Sequence, residues 1–205
     1  MTDDLGLRDR KKALTRRALA RAALRLFTEK GFADTTVAEI AAAAQVSTKT
    51  FFNYFASKED VAFADFHQRM ELTLAVIAER GDDETVPQLL QRICDRALSL
   101  VASHESVIDL ADGRARFGLI AREPALRARA LELMHSGQRR LAAALAEAYP
   151  HVLTEVTAAA VIGGYIGAIQ AAMMICLERG DGIEDAVREA MNAGMTIMRG
   201  LHSLA

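Results

Sequence analysis

The chain has 205 residues, 51% hydrophobic and 25% charged, a composition that supports one or two folded domains and excludes disorder throughout. The net charge of −2 conceals an uneven distribution, because residues 8–58 hold eleven Lys or Arg against four Asp or Glu, whereas residues 59–205 hold fourteen against twenty-one. A basic segment joined to an acidic one indicates a polyanion-binding module attached to a second domain.

Helix-forming residues dominate the chain and no segment alternates with a period of two, so we predict an all-α fold. Each of the three prolines lies near a predicted helix boundary, as expected for a residue that disrupts helix interiors. About nine helices are predicted, over residues 8–30, 37–44, 48–54, 58–80, 86–103, 106–121, 124–148, 153–179 and 183–201.

The first sixty residues contain several closely spaced helix boundaries. Gly31 is predicted to end the first helix in the left-handed conformation. Thr36 and Glu39 form a capping-box pattern that begins the second helix, and Ser47 and Ser57 are N-caps for the next two. Helices this short are unstable alone and must pack on one another. The pattern therefore predicts a helix-turn-helix with a supporting first helix.

The segment GFADTTVAEIAAAAQVSTKTFFNYFASKEDV resembles the DNA-binding domain of the TetR family of repressors, and the resemblance extends over residues 9–63. It includes the Gly-Phe helix stop, the Thr-Thr start, the turn ending in Val-Ser, the Asn-Tyr-Phe of the recognition helix and the Ser-Lys-Glu start of the next helix. The resemblance implies a three-helix DNA-binding domain over 1–57. It also implies a larger helical domain over 58–205 for dimerisation and effector binding.

Eight residues are candidates for DNA contact: Thr36, Ser47, Thr48, Lys49, Thr50, Asn53, Tyr54 and Lys58. The third helix can present its N-terminal half to base edges in the major groove. There Lys49 can donate to guanine, and Asn53 can read adenine or hold a phosphate. Tyr54, Lys58 and the start of the second helix at Thr36 are expected to bind phosphates.

Some neighbouring residues have alternative interpretations. Ser47 can be a cap alone or can also contact DNA. Phe51 and Phe55, four residues apart, are predicted to lie in the core, whereas Phe52 has no hydroxyl with which to reach a phosphate. The basic run over residues 8–17 is either a solvated face or an arm that meets the phosphate backbone.

Two residues depart from the family pattern. Gln45 stands where glycine is common in the turn, which costs about 1 kcal/mol if the position is left-handed. Lys49 replaces a frequent glycine or proline in the recognition helix. It adds a charge directed at DNA, so the operator sequence cannot be taken from relatives.

Residues 156–177 carry no charge and contain the pattern Gly163-x-x-x-Gly167. The length fits a membrane span, but the Ala, Gly and Thr content and the lack of a Lys/Arg excess at either flank argue against membrane association. They favour a helix buried on most sides, in contact with both its own domain and a partner chain. The last helix carries an apolar stripe made of Ile183, Val187, Ala190, Met191, Gly194, Ile197, Met198 and Leu201. We therefore predict a homodimer through helices 153–179 and 183–201, which would read a palindromic operator.

The family resemblance also implies a small-molecule effector in the C-terminal domain. Candidate lining residues are Phe63, Phe66, Met70, Arg116, Met134, Tyr165, Gln170 and Met173. Ordinary core packing is the simpler explanation for the apolar members. Arg116 is either a solvated arginine or a contact for an anionic effector such as an acyl-coenzyme A.

The sequence predicts a ligand-responsive transcriptional regulator, a repressor released from its operator by the effector. The alternative is a DNA-binding regulator without a small-molecule effector. An enzyme is not expected, because phosphate-binding loops and the HExxH pattern are missing and the histidines have no paired ligand spacing; no metal or cofactor is predicted. Two cysteines in apolar patterns and no N-terminal apolar signal segment predict a cytoplasmic protein.

Overall fold

The computed structural model describes residues 3–102 and 110–200. Within these ranges the chain forms ten helices and no strand, which confirms the all-α fold. The helices are α1 Asp3–Lys30, α2 Val37–Ala43, α3 Thr48–Phe52, α4 Lys58–Val61, α5 Phe66–Ala78, α6 Val86–Ala102, α7 Leu110–Arg122, α8 Pro124–Ala148, α9 Glu155–Arg179 and α10 Ile183–Gly200.

The helix predicted over 58–80 is divided into α4 and α5. Between them the Phe63 N–H donates to the Asp60 carbonyl (3.0 Å) and the Phe66 N–H to the Phe63 carbonyl (2.9 Å), each three residues back. Beside these tight turns Asp65 is only 3% exposed, and its carboxylate accepts a hydrogen bond from Arg116 at 2.9 Å. A buried carboxylate requires such a partner. This ion pair stabilises a break that no glycine or proline indicates.

Packing divides the chain into two compact units. The first comprises residues 1–67 and 106–132, and the second comprises residues 68–105 and 133–205. The first unit thus contains the helix-turn-helix together with α7 and the beginning of α8. The domain boundary at residue 57 therefore stays a prediction.

One hydrophobic core holds the first unit together. Leu19 of α1, Ile40 of α2 and Phe51 of α3 are fully buried, and Phe55 is 3% exposed. Leu126 of α8 belongs to the same cluster and is also fully buried. The core positions predicted for Phe51 and Phe55 are confirmed. Short helices that share one core are stabilised mainly by burial of apolar surface.

In the second unit, α9 and α10 pack closely at Gly194. A Cβ atom at this residue would lie 2.8 Å from Cγ1 of Ile169 and 3.3 Å from Cε2 of Tyr165. Ala190, one turn earlier, is fully buried. The two helices are joined at Gly180, whose φ of +88° ends α9 in the left-handed conformation. Small residues on α10 therefore permit the close approach of α9.

The helix-turn-helix turn contains backbone strain at Gln45, where φ is +57°. We expect Gln45→Gly to raise the free energy of unfolding by about 1 kcal/mol, because glycine adopts this conformation without a steric penalty. The control is Ala43→Gly, at the exposed last position of α2, which should lower it by about 0.5–1 kcal/mol. Urea unfolding of both variants tests this; a loss of stability in both would show that Gln45 is not strained.

Candidate nucleic-acid interface

The helix α3 is held in place by its N-terminal cap and by the core beneath it. The Oγ of Ser47 accepts a hydrogen bond from the Thr50 N–H at 3.0 Å and lies 2.9 Å from the Thr50 Oγ1. On the inner side, the ring of Phe51 lies 5.6 Å from that of Phe55, centroid to centroid. The predicted cap at Ser47 is confirmed. These contacts determine which side chains of α3 face away from the core.

Four side chains form the outward face of α3: Thr48, Lys49, Phe52 and Asn53. All four are exposed, and they follow one another at the i, i+1, i+4 and i+5 spacing of a single helical face. Thr50 and Tyr54 lie half-buried beside this face. The face thus combines one cation, one amide and one hydroxyl with one apolar ring. Phe52 also belongs to this face. It is not among the eight residues predicted to contact DNA, although its i+4 spacing from Thr48 places the two side chains on the same side of the helix.

The start of α2 differs from expectation in one respect. The Thr36 N–H and hydroxyl both donate to Oε2 of Glu39, at 2.8 and 2.7 Å, in the predicted capping box. Hydrogen bonds from Lys30 and Thr36 lower the pKa of Glu39 to about 2, so this carboxylate is charged at neutral pH. Both donors of Thr36 are therefore used by Glu39 and are not open to the phosphate contact expected at the start of the second helix. A phosphate could take these donors only if Glu39 moved away.

Lys58 is engaged by the turn that follows α1. Its ammonium donates to the carbonyl oxygens of Phe32 at 2.7 Å and Thr35 at 2.9 Å. The same nitrogen lies 4.1 Å from the centroid of the Phe32 ring, a cation–π contact. The described geometry thus gives Lys58 a structural role. A phosphate contact, as predicted, would require it to leave these carbonyls.

We expect Lys58→Met to lower the free energy of unfolding by about 2 kcal/mol, because hydrogen bonds from a charged donor to half-buried carbonyls are lost. Lys49→Met, a matched change at an exposed position of α3, should leave stability within about 0.5 kcal/mol of the parent. Thermal and urea unfolding compare the two. Equal stability of both variants would contradict the structural role of Lys58.

The basic run at the start of α1 is not uniform. Arg16 is half-buried; its Nε donates to the Ala64 carbonyl at 3.0 Å and its Nη1 to the Tyr54 carbonyl at 3.2 Å. Burial lowers the pKa of Arg16, against the opposing effect of nearby carboxylates. Through these hydrogen bonds, Arg16 of α1 stabilises the packing of the segment after α3 against α1. Residues 10–12 are exposed, and the side chain of Arg8 lies outside the described residues.

The candidate effector-binding residues are distributed between the two units. The first unit contains Phe63, Phe66 and Arg116, and the second contains Met70, Met134, Tyr165, Gln170 and Met173. The guanidinium of Arg116 is paired with the buried Asp65, so it is not a freely solvated arginine, and its contact with an anionic effector stays a prediction. One surface cleft of the described chain is lined by side chains within residues 18–25 and 43–45, and another by side chains within residues 79–92. None of the eight candidates lines either cleft.

Within the second unit, two of the candidate residues carry polar groups at buried or half-buried positions. The Gln170 amide donates to the Sδ of Met134 at 3.1 Å, and a thioether is a weak acceptor. The hydroxyl of Tyr165 is buried, and this burial raises its pKa. A ligand with better acceptors than a thioether would improve the hydrogen bonding of the Gln170 amide.

One group of potential metal ligands lies at the junction of α9 and α10. The thiol of Cys176 and the carboxylates of Asp181 and Glu189 lie within 4.8 Å of one another. The guanidinium of Arg179 donates to the Glu189 carboxylate at 2.7 Å and also to Asp181. Because this arginine pairs with both carboxylates, the cluster is an ion-pair network that joins the helices.

A second exposed surface runs along α9. Val156, Met174 and Ile175 are 78%, 53% and 55% exposed, and Cβ atoms built at Gly164 and Gly167 would have no neighbour within 4 Å. This helix is long and apolar enough to cross a membrane by length and composition, with a mean hydropathy of 1.9 and only 17% of the span buried. Most of α9 is therefore exposed in a single chain, and its burial against a partner chain stays a prediction.

The apolar stripe of α10 is largely used inside the chain. Ala190 and Gly194 are buried, and Val187 and Met191 are half-buried. The side chains of Ile183, Ile197 and Met198, and residue Leu201, lie outside the described residues. Of the two helices predicted to form the dimer interface, α9 thus has the larger described apolar surface.

Comparison with known proteins identifies the amino-terminal segment. Residues 19–64 match the model of bacterial regulatory proteins, tetR family. The chain is 37% identical over 142 residues to the HTH-type transcriptional regulator TcmR of Streptomyces glaucescens, and the alignment covers 69% of this chain and 63% of TcmR. The chain thus spans less than two thirds of the length of this curated relative.

Solved structures share the fold over most of the chain. The fatty acid degradation regulator FadR of Bacillus halodurans is 19% identical, with a TM-score of 0.53, over 88% of this chain and 94% of that protein. FadR of Bacillus subtilis, solved in complex with stearoyl-CoA, is 19% identical, with a TM-score of 0.51, over 87% of this chain and 96% of that protein. Together these findings show that residues 19–64 are a helix-turn-helix segment of the type found in bacterial regulatory proteins of the tetR family, and that the chain shares the fold of such regulators.

Proposed function

We propose that this chain is a transcriptional regulator that binds double-stranded DNA by inserting α3 into the major groove, and that it is not an enzyme. The outward face of α3 carries this proposal: Thr48, Lys49, Phe52 and Asn53 are exposed together, while Phe51 and Phe55 anchor the opposite side in the core. A short helix that is fixed on one side and exposed on the other suits insertion into the major groove.

The contacts proposed for DNA fall into two groups. Thr48, Lys49 and Asn53 on the outward face would read base edges, with Lys49 donating to guanine. Thr50 and Tyr54 beside the face would contact phosphates and set the register. Ser47, as a cap that lies against Thr50, and Thr36 and Lys58, whose donors bind within the protein, are proposed to act mainly by holding these helices in place.

Lys49→Ala tests the proposed function. We expect binding to an operator selected from a random duplex library to weaken by about 1–3 kcal/mol, and binding to unrelated duplex to weaken less, because a base contact is lost. Arg139→Ala, which removes an exposed cation of α8, is the control and should change neither. Gel-shift or fluorescence titration measures both affinities. An equal loss on both duplexes would reduce Lys49 to a phosphate contact.

We further propose a homodimer in which α9, together with α10, faces its partner across a two-fold axis. The exposed apolar side chains and open glycines of α9 support this, because a partner helix could approach Gly164 and Gly167 closely. Two α3 helices related in this way would read the two halves of a palindrome, about 34 Å apart or more. A partner chain that covers this surface would explain the apolar character of α9 without a membrane. We therefore propose that the protein is cytoplasmic.

An effector that releases the repressor from its operator is proposed for the second unit, near Gln170 and Tyr165. The poorly matched Gln170–Met134 hydrogen bond supports a ligand there, and the stearoyl-CoA bound by the Bacillus subtilis FadR suggests an acyl-coenzyme A as the first compound to test. A regulator without an effector is the second candidate, favoured by the position of the described clefts away from these residues. Acyl-coenzyme A is titrated into the protein–operator complex, and release of the operator would exclude the second candidate, whereas no release would exclude acyl-coenzyme A as the effector.

A further inference from the structure

Phe52 is the apolar member of the outward face of α3. Its side chain is 57% exposed, whereas the adjacent Phe51 is fully buried. The two rings lie 5.4 Å apart with an interplanar angle of 84°, so the Phe52 ring rests edge-on against a fixed neighbour. An aromatic ring supported in this way keeps its position while most of its surface faces outward.

The neighbours of Phe52 on this face are all polar. Thr48 lies one turn before it, Lys49 lies three residues before it, and Asn53 follows it, and all three are exposed. These side chains can form hydrogen bonds with base edges or phosphates. A phenyl ring has no hydrogen-bonding group, so the chemistry available to Phe52 in the same groove is different.

The major groove offers one apolar feature to such a ring. Purine edges there present nitrogen and oxygen atoms or an amino group, cytosine presents an amino group, and thymine presents a carbonyl together with its C5 methyl group. We propose that Phe52 packs on the C5 methyl group of a thymine in each operator half-site and is a specificity-determining residue. This inference rests on the proposed function, since it requires α3 to enter the major groove.

The test removes the methyl group while keeping every hydrogen bond of the base pair. An operator is first selected from a random duplex library with the full-length protein, and each thymine is then replaced in turn by deoxyuridine. For the parent protein, we expect one position in each half-site at which the loss of the methyl weakens binding about fourfold, the effect of exposing one buried methyl group. Phe52→Ala should bind the thymine and deoxyuridine duplexes equally at that position.

Two further comparisons make the result specific to Phe52. Lys49→Ala should bind more weakly overall but retain the fourfold discrimination, because its own contact is with a different group. Placing cytosine and then 5-methylcytosine at the sensitive position restores only a methyl group, and the parent but not Phe52→Ala should regain about fourfold in affinity. Since Phe52 is exposed, the variant should unfold at the same denaturant concentration as the parent.

The outcomes separate this inference from the function on which it depends. Methyl sensitivity that disappears only in Phe52→Ala supports the contact. Methyl sensitivity that persists in Phe52→Ala, or no sensitive thymine in an operator that the parent selects, overturns the contact and leaves the proposed function intact. Failure of the parent to select any duplex overturns both.

Discussion

Phe51→Ala is expected to lower the free energy of unfolding by about 3–5 kcal/mol and to abolish binding to duplex DNA. Phe51 is fully buried in the core that joins α1, α2 and α3, and removal of a buried phenyl ring leaves a cavity that short helices fill poorly. Because α3 is only five residues long, it has little stability apart from this core. Urea unfolding and a DNA titration measure the two effects.

The neighbouring residue provides the control for this prediction. Phe52→Ala makes the same chemical change one position along the helix, at a side chain that is 57% exposed. Its free energy of unfolding should stay within about 0.5 kcal/mol of the parent value, as for most surface substitutions. If the two variants lost equal stability, the orientation of α3 described above would be wrong.

Gly167→Leu is expected to weaken the proposed dimer about thirtyfold or more without destabilising the single chain. A Cβ at Gly167 meets nothing within 4 Å in one chain, so the added side chain would project only towards the partner. Overpacking an interface costs about 1–3 kcal/mol, and two-fold symmetry applies this cost twice. Sedimentation velocity over a range of concentrations measures the dissociation constant.

The corresponding change at the other helix should behave differently. In Gly194→Leu the new side chain would collide with Ile169 and Tyr165 of the same chain, so the fold itself should lose stability. Together the variants separate a surface that is open in one chain from one that is already packed. A sedimentation profile of Gly167→Leu that matches the parent would remove α9 from the interface.

The sequence was informative wherever a boundary depends on local chemistry. The caps at Thr36, Ser47 and Ser57 and the left-handed Gly31 are found where local patterns predict them, because each depends on residues within one turn. Charge counts and helical spacing could likewise indicate an outward face on α3.

Features that depend on distant residues were missed. The break between α4 and α5 is tied to the Asp65–Arg116 ion pair, whose partners are far apart in the chain. Lys58 reaches carbonyls of residues 32 and 35, and Arg16 reaches carbonyls after α3. Long cationic side chains look alike in a sequence whether they face solvent or carbonyl groups, so their roles could not be predicted.

Binding of the full-length chain to double-stranded DNA as a function of salt concentration tests the central claim most directly. If α3 and the residues around it contact the duplex as a two-fold dimer, the logarithm of the affinity should fall linearly with the logarithm of salt concentration, with a slope of about −0.9 for each phosphate contact. Measurable binding at about 50 mM salt and a steep slope are the predicted result. A chain that binds no duplex of any sequence at this salt concentration would contradict the account.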